Sequence, residues 1–321
     1  MIAAFTSSVT AVVWGRAVAW TPEAVGTTSI SRQLSLRFRA ETSAVSLDVK
    51  ATLTPTKKEH QVAYVRDQDG HTFHVSGKLW AKAPPFEAPV AVHEPALLFV
   101  NVLADRLRES GVALGGKTRL AAAADPQPAG TPLLVRRSPL PRALTVCNKR
   151  SQNLYAECLL KTLGARKGES GSWQGGAKVV ERYLHDLGIP DGEFQVRDGS
   201  GLSRQNRLSA NALVRILEAQ AKGPRAQVFS DSLSIAGTDG TLEKRLHRLA
   251  SGAVFRGKTG TMHGVSSLAG LLELPHGKGG QPEVIALAVV VNGTHGAALA
   301  RAAQDDAVRM AIKLRETHAS K

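Results

Sequence analysis

Between Gly257 and Gly270 the chain runs Gly-Lys-Thr-Gly-Thr-Met-His-Gly-Val-Ser-Ser-Leu-Ala-Gly, the end of one apolar strand, a glycine turn and the start of another. Strands are expected at about 253–258, 264–273 and 283–291. Short glycine-containing loops join them, so they must pair antiparallel. An alanine-rich helix at about 296–315 follows and is expected to cover one face of their sheet. Within this stretch Lys258 offers a cation, Thr259 a hydroxyl, and Gly260 a place where a ligand can approach the backbone closely. An edge strand so equipped can pair with an extended peptide and hold its terminal carboxylate. A loop lysine beside a turn glycine is the plainer alternative.

Upstream, the apolar residues recur with helical period. One helix is expected at about 150–163, through Leu154, Leu159, Leu160 and Leu163, closed by Gly164. A second is expected at 175–187, through Val179, Val180, Tyr183, Leu184 and Leu187, closed by Gly188. A third opens at Ser209, a good N-cap, and carries Leu213, Ile216 and Leu217. Residues 112–142, rich in Ala, Pro and Gly, read as a wandering connection. Before them a helix runs from Pro95, through Leu98, Val102, Ala104 and Leu107, to a stop at Gly111. From Ser31 to Val92 the period is two, with Leu34, Leu36, Phe38 and Ala40, then Val45, Leu47, Val49, Ala51 and Leu53. Gln61–Arg66 and Phe73–Leu79 flank Asp69-Gly70, a strong hairpin signal. This region reads as a small antiparallel β module. Its His60, His71 and His74 lack metal-site spacing and read as surface side chains. The division expected is therefore 1–30 unassigned, 31–92 a small β domain, and 93–318 a larger domain.

With 41 Lys plus Arg against 27 Asp plus Glu, the formal charge is 41 − 27 = +14. A hydrophobic content of 43% with 21% charged residues excludes wholesale disorder. Aromatics at 5% count against a stacking platform for single-stranded nucleic acid. The charge favours an anionic partner, but no recognition-helix or zinc-finger signature points to nucleic acid. No apolar run reaches transmembrane length, and the sequence leaves membrane association open. The two cysteines, Cys147 and Cys158, would lie roughly 16 Å apart along a helix, beyond disulfide reach. Cys158 sits in an apolar run and reads as a small buried side chain. Met1–Trp14 is mostly small and apolar, but Arg16 follows rather than precedes it, the reverse of a secretory signal.

Two further strings carry chemistry. Ser151-Gln152-Asn153 can aim a hydroxyl and an amide into one cleft, or Ser151 can simply cap a helix. Asp198-Gly199-Ser200-Gly201-Leu202-Ser203-Arg204 is a polar glycine-rich string that equally fits a turn.

Together the strings resemble the penicillin-interacting serine enzymes, which carry S-x-x-K, S-x-N and K-T-G in chain order. Within that group the chain is similar to the D-alanyl-D-alanine carboxypeptidase/endopeptidase family, which includes the low-molecular-mass class C penicillin-binding proteins. The matching strings are Lys149 to Gly164, Asp198 to Arg204, Asp239 to Leu242 (D-G-T-L) and Gly257 to Gly270, spread from about Glu94 onward. The β module resembles the domain such proteins insert between the first and second motifs. The resemblance implies an α+β, penicillin-binding-protein/β-lactamase-like transpeptidase domain, an antiparallel sheet plus helices, with a small all-β inserted domain. It implies a serine-type D-alanyl-D-alanine carboxypeptidase or endopeptidase of the periplasm or other extracytoplasmic space, acting without a cofactor or metal on peptidoglycan stem peptides ending in D-Ala–D-Ala. It also implies roles. Ser151 relays protons near the leaving amine, Asn153 bonds the substrate amide, and Lys258 supplies positive potential for the terminal carboxylate. Thr259 contacts that carboxylate, the Thr261 N–H forms half of an oxyanion hole, and Gly260, Asp198 and Ser200 line the substrate site.

One motif departs from the pattern. The family's nucleophile is the Ser of S-x-x-K, with the Lys one helical turn later as proton acceptor. No Ser stands three residues before any Lys in these 321 residues. The nearest spacings, Thr54…Lys57 and Thr241…Lys244, fall in the β module and in the D-G-T-L turn, where Thr241 reads as an N-cap. The expectation is thus an incomplete transpeptidase domain, the last two-thirds of such an enzyme after an unmatched stretch of about thirty residues, deficient in acylation and taking β-lactams only if the missing segment is restored. A non-catalytic relative that binds peptidoglycan stems is the alternative.

Overall fold

The period-two sequence before residue 92 folds as two small sheets. In the computed structural model, residues 9–17, 32–38, 44–83, 86–90, 92–122, 125, 131, 135, 137–275, 283–293 and 296–319 are described. The chain divides into two compact units, Met1–Thr131 and Pro132–Lys321. In the first, β1 (Val9–Ala17) lies within the stretch left unassigned above. It pairs antiparallel with β2 (Arg32–Phe38) on one edge, while its other edge takes a strand at Phe86–Val90.

The second sheet holds β3 (Ser46–Val49), β4 (Thr52–Thr54), β5 (Gln61–Arg66) and β6 (Thr72–Trp80). Here the antiparallel expectation needs correction. β5 and β6 form the hairpin expected at Asp69-Gly70, but β3 and β4 both pair parallel with β6. The reason is topological. β5 runs against β4, and the hairpin folds β6 back between them, so β6 must run parallel to β4. The Phe86–Val90 strand is β7, and α1 (Pro95–Glu109) follows it. Leu98 and Val102 of α1 pack on Phe73, Val92 and Leu47, so the helix shares a core with the β strands of this unit. The structural division falls after α1, whereas the sequence division at 92/93 falls before it. Of the histidines here, His60 is exposed as expected; the part-exposed His74 bonds Asp48 and Asp67 at 2.9 and 2.7 Å, and His71 buries an Nδ1 that has no hydrogen-bond partner among the described residues.

The second unit opens with α2 (Leu140–Lys149), a helix where the sequence reads as connection up to residue 142. Pro139 and Pro141 disguise it. Both fall at the helix start, where a missing N–H is harmless, rather than in its interior. α3 (Asn153–Lys167) begins two residues later than Ser151 and runs on through Gly164. Gly164 therefore does not stop the helix; it lets α4 (Trp173–Asp186) approach. A Cβ on Gly164 would strike the Ser170 carbonyl and come within 2.6 Å of the Gly176 nitrogen. Cys158 is exposed on α3, not buried, and both cysteines are free.

After the two-residue strands β8 (Phe194–Gln195) and β9 (Arg207–Leu208) comes α5 (Ala210–Lys222). Its N-cap is Ser209, whose hydroxyl accepts the Ala212 N–H. α6 (Ala226–Ser232) leads into the antiparallel sheet β10 (Ser234–Ile235), β11 (Val254–Met262), β12 (Val265–Leu274) and β13 (Glu283–Asn292). The last helix is α7 (Ala297–Ala319). Its Val308 and Ile312 pack on Phe255, Leu268 and Leu272, together with Leu242 and Leu246, and this is the main core of the unit. Strand alternation then turns Lys258 and Arg256 to the sheet face away from that core. Among the described residues no helix is long and apolar enough to cross a membrane.

Candidate active site

Only two residues of β10, Ser234 and Ile235, cover the outer edge of β11, opposite Gly257 and Arg256. From Lys258 onward that edge has no strand partner among the described residues, while the inner edge pairs with β12 along its whole length. Its N–H and C=O groups are thus available to an added extended chain. β10 thus ends just before the K-T-G segment, while β12 pairs with all of it.

Across from this edge the α2–α3 junction presents Ser151. Ser151 is not a helix cap: the N-cap of α3 is Gln152, which makes no side-chain cap bond, and Ser151 has φ 51°. A left-handed serine is costly and persists only where its surroundings enforce it. Its hydroxyl oxygen accepts a 2.7 Å hydrogen bond from Lys258 Nζ. The same ammonium donates to the Thr259 carbonyl at 2.7 Å. Because Lys258 donates, the Ser151 proton is left to point toward a third group in the groove.

Lys258 is the electrostatic centre. Burial pushes its pKa below the ordinary lysine value, opposed only by the neighbouring Cys147. The Cys147 thiol is itself pushed up by burial, against the pull of Lys258, so it stays neutral. Among the described residues no carboxylate pairs with Lys258, although Arg256 pairs with Glu273 at 2.9 Å and Lys149 pairs with Asp239. A half-buried ammonium without a counter-ion lacks compensation, and an incoming carboxylate supplies it.

Thr259 is oriented by a residue that sequence reading misplaces. Thr241 does not cap a helix. It lies inside a 3₁₀ turn, Gly240–Leu242, and its hydroxyl accepts from Thr259 at 2.9 Å. The Ser234 hydroxyl accepts the Thr241 N–H at 3.2 Å and lies 3.4 Å from its oxygen. Gly260 faces the Ser267 hydroxyl so closely that any Cβ would strike it. Thr261, next along the strand, is exposed.

Asn153 is exposed at the first turn of α3, and its amide makes no hydrogen bond among the described residues. The glycine-rich string is held to the same helix by a residue that no sequence motif singles out. Glu157 accepts the N–H groups of Gly199 and Ser200 at 3.0 Å each and the Trp173 indole N–H at 2.8 Å. Burial disfavours its charge, but these bonds and the Ser200 hydroxyl outweigh burial and hold its pKa below the ordinary value. Asp198 is engaged within its own loop, accepting from Gly201, Ser203 and Asn206 at 2.6–2.8 Å. Thus Ser151, Lys258 and Thr259 meet directly, whereas Asp198 and Ser200 are tied to α3 through Glu157.

Known proteins resemble this chain. Over 271 residues the chain is 34% identical to a D-alanyl-D-alanine carboxypeptidase of Actinomadura sp. (strain R39), covering 83% of this chain and 49% of that protein. Over 231 residues it is 30% identical to the D-alanyl-D-alanine carboxypeptidase DacB of Haemophilus influenzae, covering 70% of this chain and 46% of that protein. The chain spans about half the length of these relatives. A crystal structure of penicillin-binding protein 4 (dacB) of H. influenzae in complex with a β-lactam superposes with a TM-score of 0.67 at 23% identity, covering 95% of this chain and 68% of the other, a likeness of fold. Residues 18–314 match one family, reaching into the stretch left unassigned from sequence: the chain belongs to the D-Ala-D-Ala carboxypeptidase 3 (S13) family.

Proposed function

We propose that this chain recognises the D-alanyl-D-alanine end of peptidoglycan stem peptides in an extracytoplasmic space and forms the substrate-holding part of a serine-type carboxypeptidase/endopeptidase site. The observation that carries the reading is the meeting of Ser151 with the uncompensated Lys258 ammonium beside the open edge of β11. An extended peptide pairs with that edge, and its terminal carboxylate neutralises Lys258 and contacts the Thr259 hydroxyl, which turns its proton from Thr241 to the carboxylate. Asn153 bonds the scissile amide, Ser151 passes a proton to the leaving amine, and the Thr261 N–H faces the developing oxyanion. Gly260, Asp198 and Ser200 line the bound peptide.

A second reading, stem binding without cleavage, is favoured by one feature of composition: these 321 residues hold no Ser-x-x-Lys. Under either reading the groove binds the peptide end. Calorimetry with a diacyl-lysyl-D-Ala–D-Ala peptide is expected to show weak binding, lost when the terminal carboxylate is amidated and weakened by Lys258→Ala. Equal affinity for acid and amide would refute the assignment.

A further inference from the structure

Lys149 and Asp239 are used by none of the roles above, yet they bridge the two sides of the groove. Lys149 ends α2, two residues before Ser151, and its ammonium is hydrogen-bonded to Asp239. The side chains are 19% and 35% exposed, so the pair is largely withdrawn from solvent. Asp239 introduces the turn that carries Thr241, and its other oxygen accepts the Ile235 N–H of β10 at 2.8 Å. Its carboxylate is therefore locked to the strand that pairs with Gly257 and Arg256, immediately before Lys258. A second contact is independent of charge. A Cβ on Gly240 would lie 2.8 Å from the Lys149 carbonyl oxygen, so the turn backbone rests directly against the end of α2. The cationic groups acting on Asp239 are Lys149 and Arg256. Asn148, one residue earlier on α2, adds a 2.8 Å bond to the buried Ser232.

The end of α2 is thus pinned to the sheet within three residues of Ser151, whose left-handed backbone needs enforcement. We infer that Lys149 and Asp239 are positioning residues, a clamp that holds Ser151 on the Lys258 ammonium and Thr241 against Thr259. A displacement of about 1 Å at such a junction is enough to impair a site far more than it impairs a fold. The inference rests on the proposed role of Ser151, Lys258 and Thr259 only for its effect on binding; its effect on Lys258 itself is separate.

The test uses the full 321-residue chain with Lys149→Met, Asp239→Asn, the double variant and Lys149→Arg. NMR titration of the Lys258 side chain, assigned by loss of its signal in Lys258→Arg, reports the clamp directly; peptide calorimetry reports binding. Each single variant is expected to move the Lys258 midpoint up toward the ordinary lysine value and to weaken the peptide about tenfold. The double variant should be no worse than either single, and Lys149→Arg should restore part of both signals. Lowered melting temperature with an unchanged Lys258 midpoint would overturn the clamp and leave a merely structural ion pair, as would additive effects in the double variant. If either removal variant fails to fold, Asp239→Glu keeps the charge while lengthening the arm, and an unmoved Lys258 midpoint there has the same force. Absence of peptide binding by the unsubstituted chain would refute the proposed function alone, because the titration decides the clamp without peptide.

Discussion

At Lys258 function and stability pull in opposite directions. Burial lowers its pKa, so between that depressed value and the ordinary 10.5 the unfolded chain binds more protons than the folded one. Raising the pH through this window therefore relieves a destabilising charge. Peptide binding needs the protonated form, so affinity is full below the folded pKa and falls as pH rises through it. Calorimetry from pH 7 upward is expected to show affinity failing below pH 10.5, while the stability deficit of the unsubstituted protein relative to Lys258→Met shrinks over the same interval. Affinity that holds up to the ordinary lysine range would show that Lys258 is not desolvated. Ser151 makes the same point through the backbone. Glycine adopts φ 51° without the Cβ penalty, so Ser151→Gly is expected to stabilise the fold by up to about 1 kcal/mol while weakening peptide binding. A lower melting temperature for that variant would contradict the strain assigned to Ser151.

Among the elements, α3 is the organiser. One of its faces meets α4 with no room for a side chain at Gly164, so Gly164→Ala is expected to cost about 1–3 kcal/mol in urea unfolding, unlike an ordinary helical Gly→Ala change, which stabilises. Another face carries Glu157, the acceptor of three N–H groups. Glu157→Gln is expected to cost about 1–3 kcal/mol near neutral pH, because one amide oxygen replaces a two-oxygen anionic acceptor. The sign with pH follows from the depressed pKa. The benefit of the carboxylate is present above its ordinary value of 4.5 and is lost as pH falls through the lower folded value. Denaturation of both proteins from pH 7 to pH 3 should show their stabilities converging; a constant gap would mean the charge contributes nothing. The apolar period of α3 is readable in sequence, but its glycine is not, because the same Gly serves as a stop or as a contact depending on what packs there. The Pro-flanked α2 is hidden for a related reason: Pro139 and Pro141 break a helix interior but suit a helix start, and only the three-dimensional partner decides which applies.

For the molecule as a whole, the charge of +14 and the absence of Ser-x-x-Lys bear on different observables. Positive charge favours anionic partners in general, and that component weakens with salt. Covalent chemistry needs an activated nucleophile; no Ser here stands three residues before a Lys, and the two Thr that do, Thr54 and Thr241, lie in the β module and in the Gly240–Leu242 turn. Intact-mass spectrometry after treatment with a penicillin is therefore expected to show no stoichiometric adduct on the 321-residue chain. An adduct at Ser151 or Ser200 would refute this.

The order of strings from Lys149 to Gly270, with strands on either side of a glycine turn, indicates an antiparallel sheet and a covering helix and singles out Ser151, Asn153, Lys258 and Thr259 as candidates. Those features are local: strand period, turn chemistry and residue type are written in contiguous sequence. What packing alone decided are the relations between distant segments. The 2.7 Å contact of Lys258 with Ser151 spans 107 positions, and the Lys149–Asp239 clamp spans 90. The desolvation that depresses Lys258, the parallel run of β3 and β4 beside β6, and the use of Glu157 as a three-way acceptor depend likewise on neighbours remote in the chain. A lone Lys, Asp or Glu carries no mark of its partner, because its energy is set by burial and by the charge brought opposite it, and both arise only when the chain closes on itself.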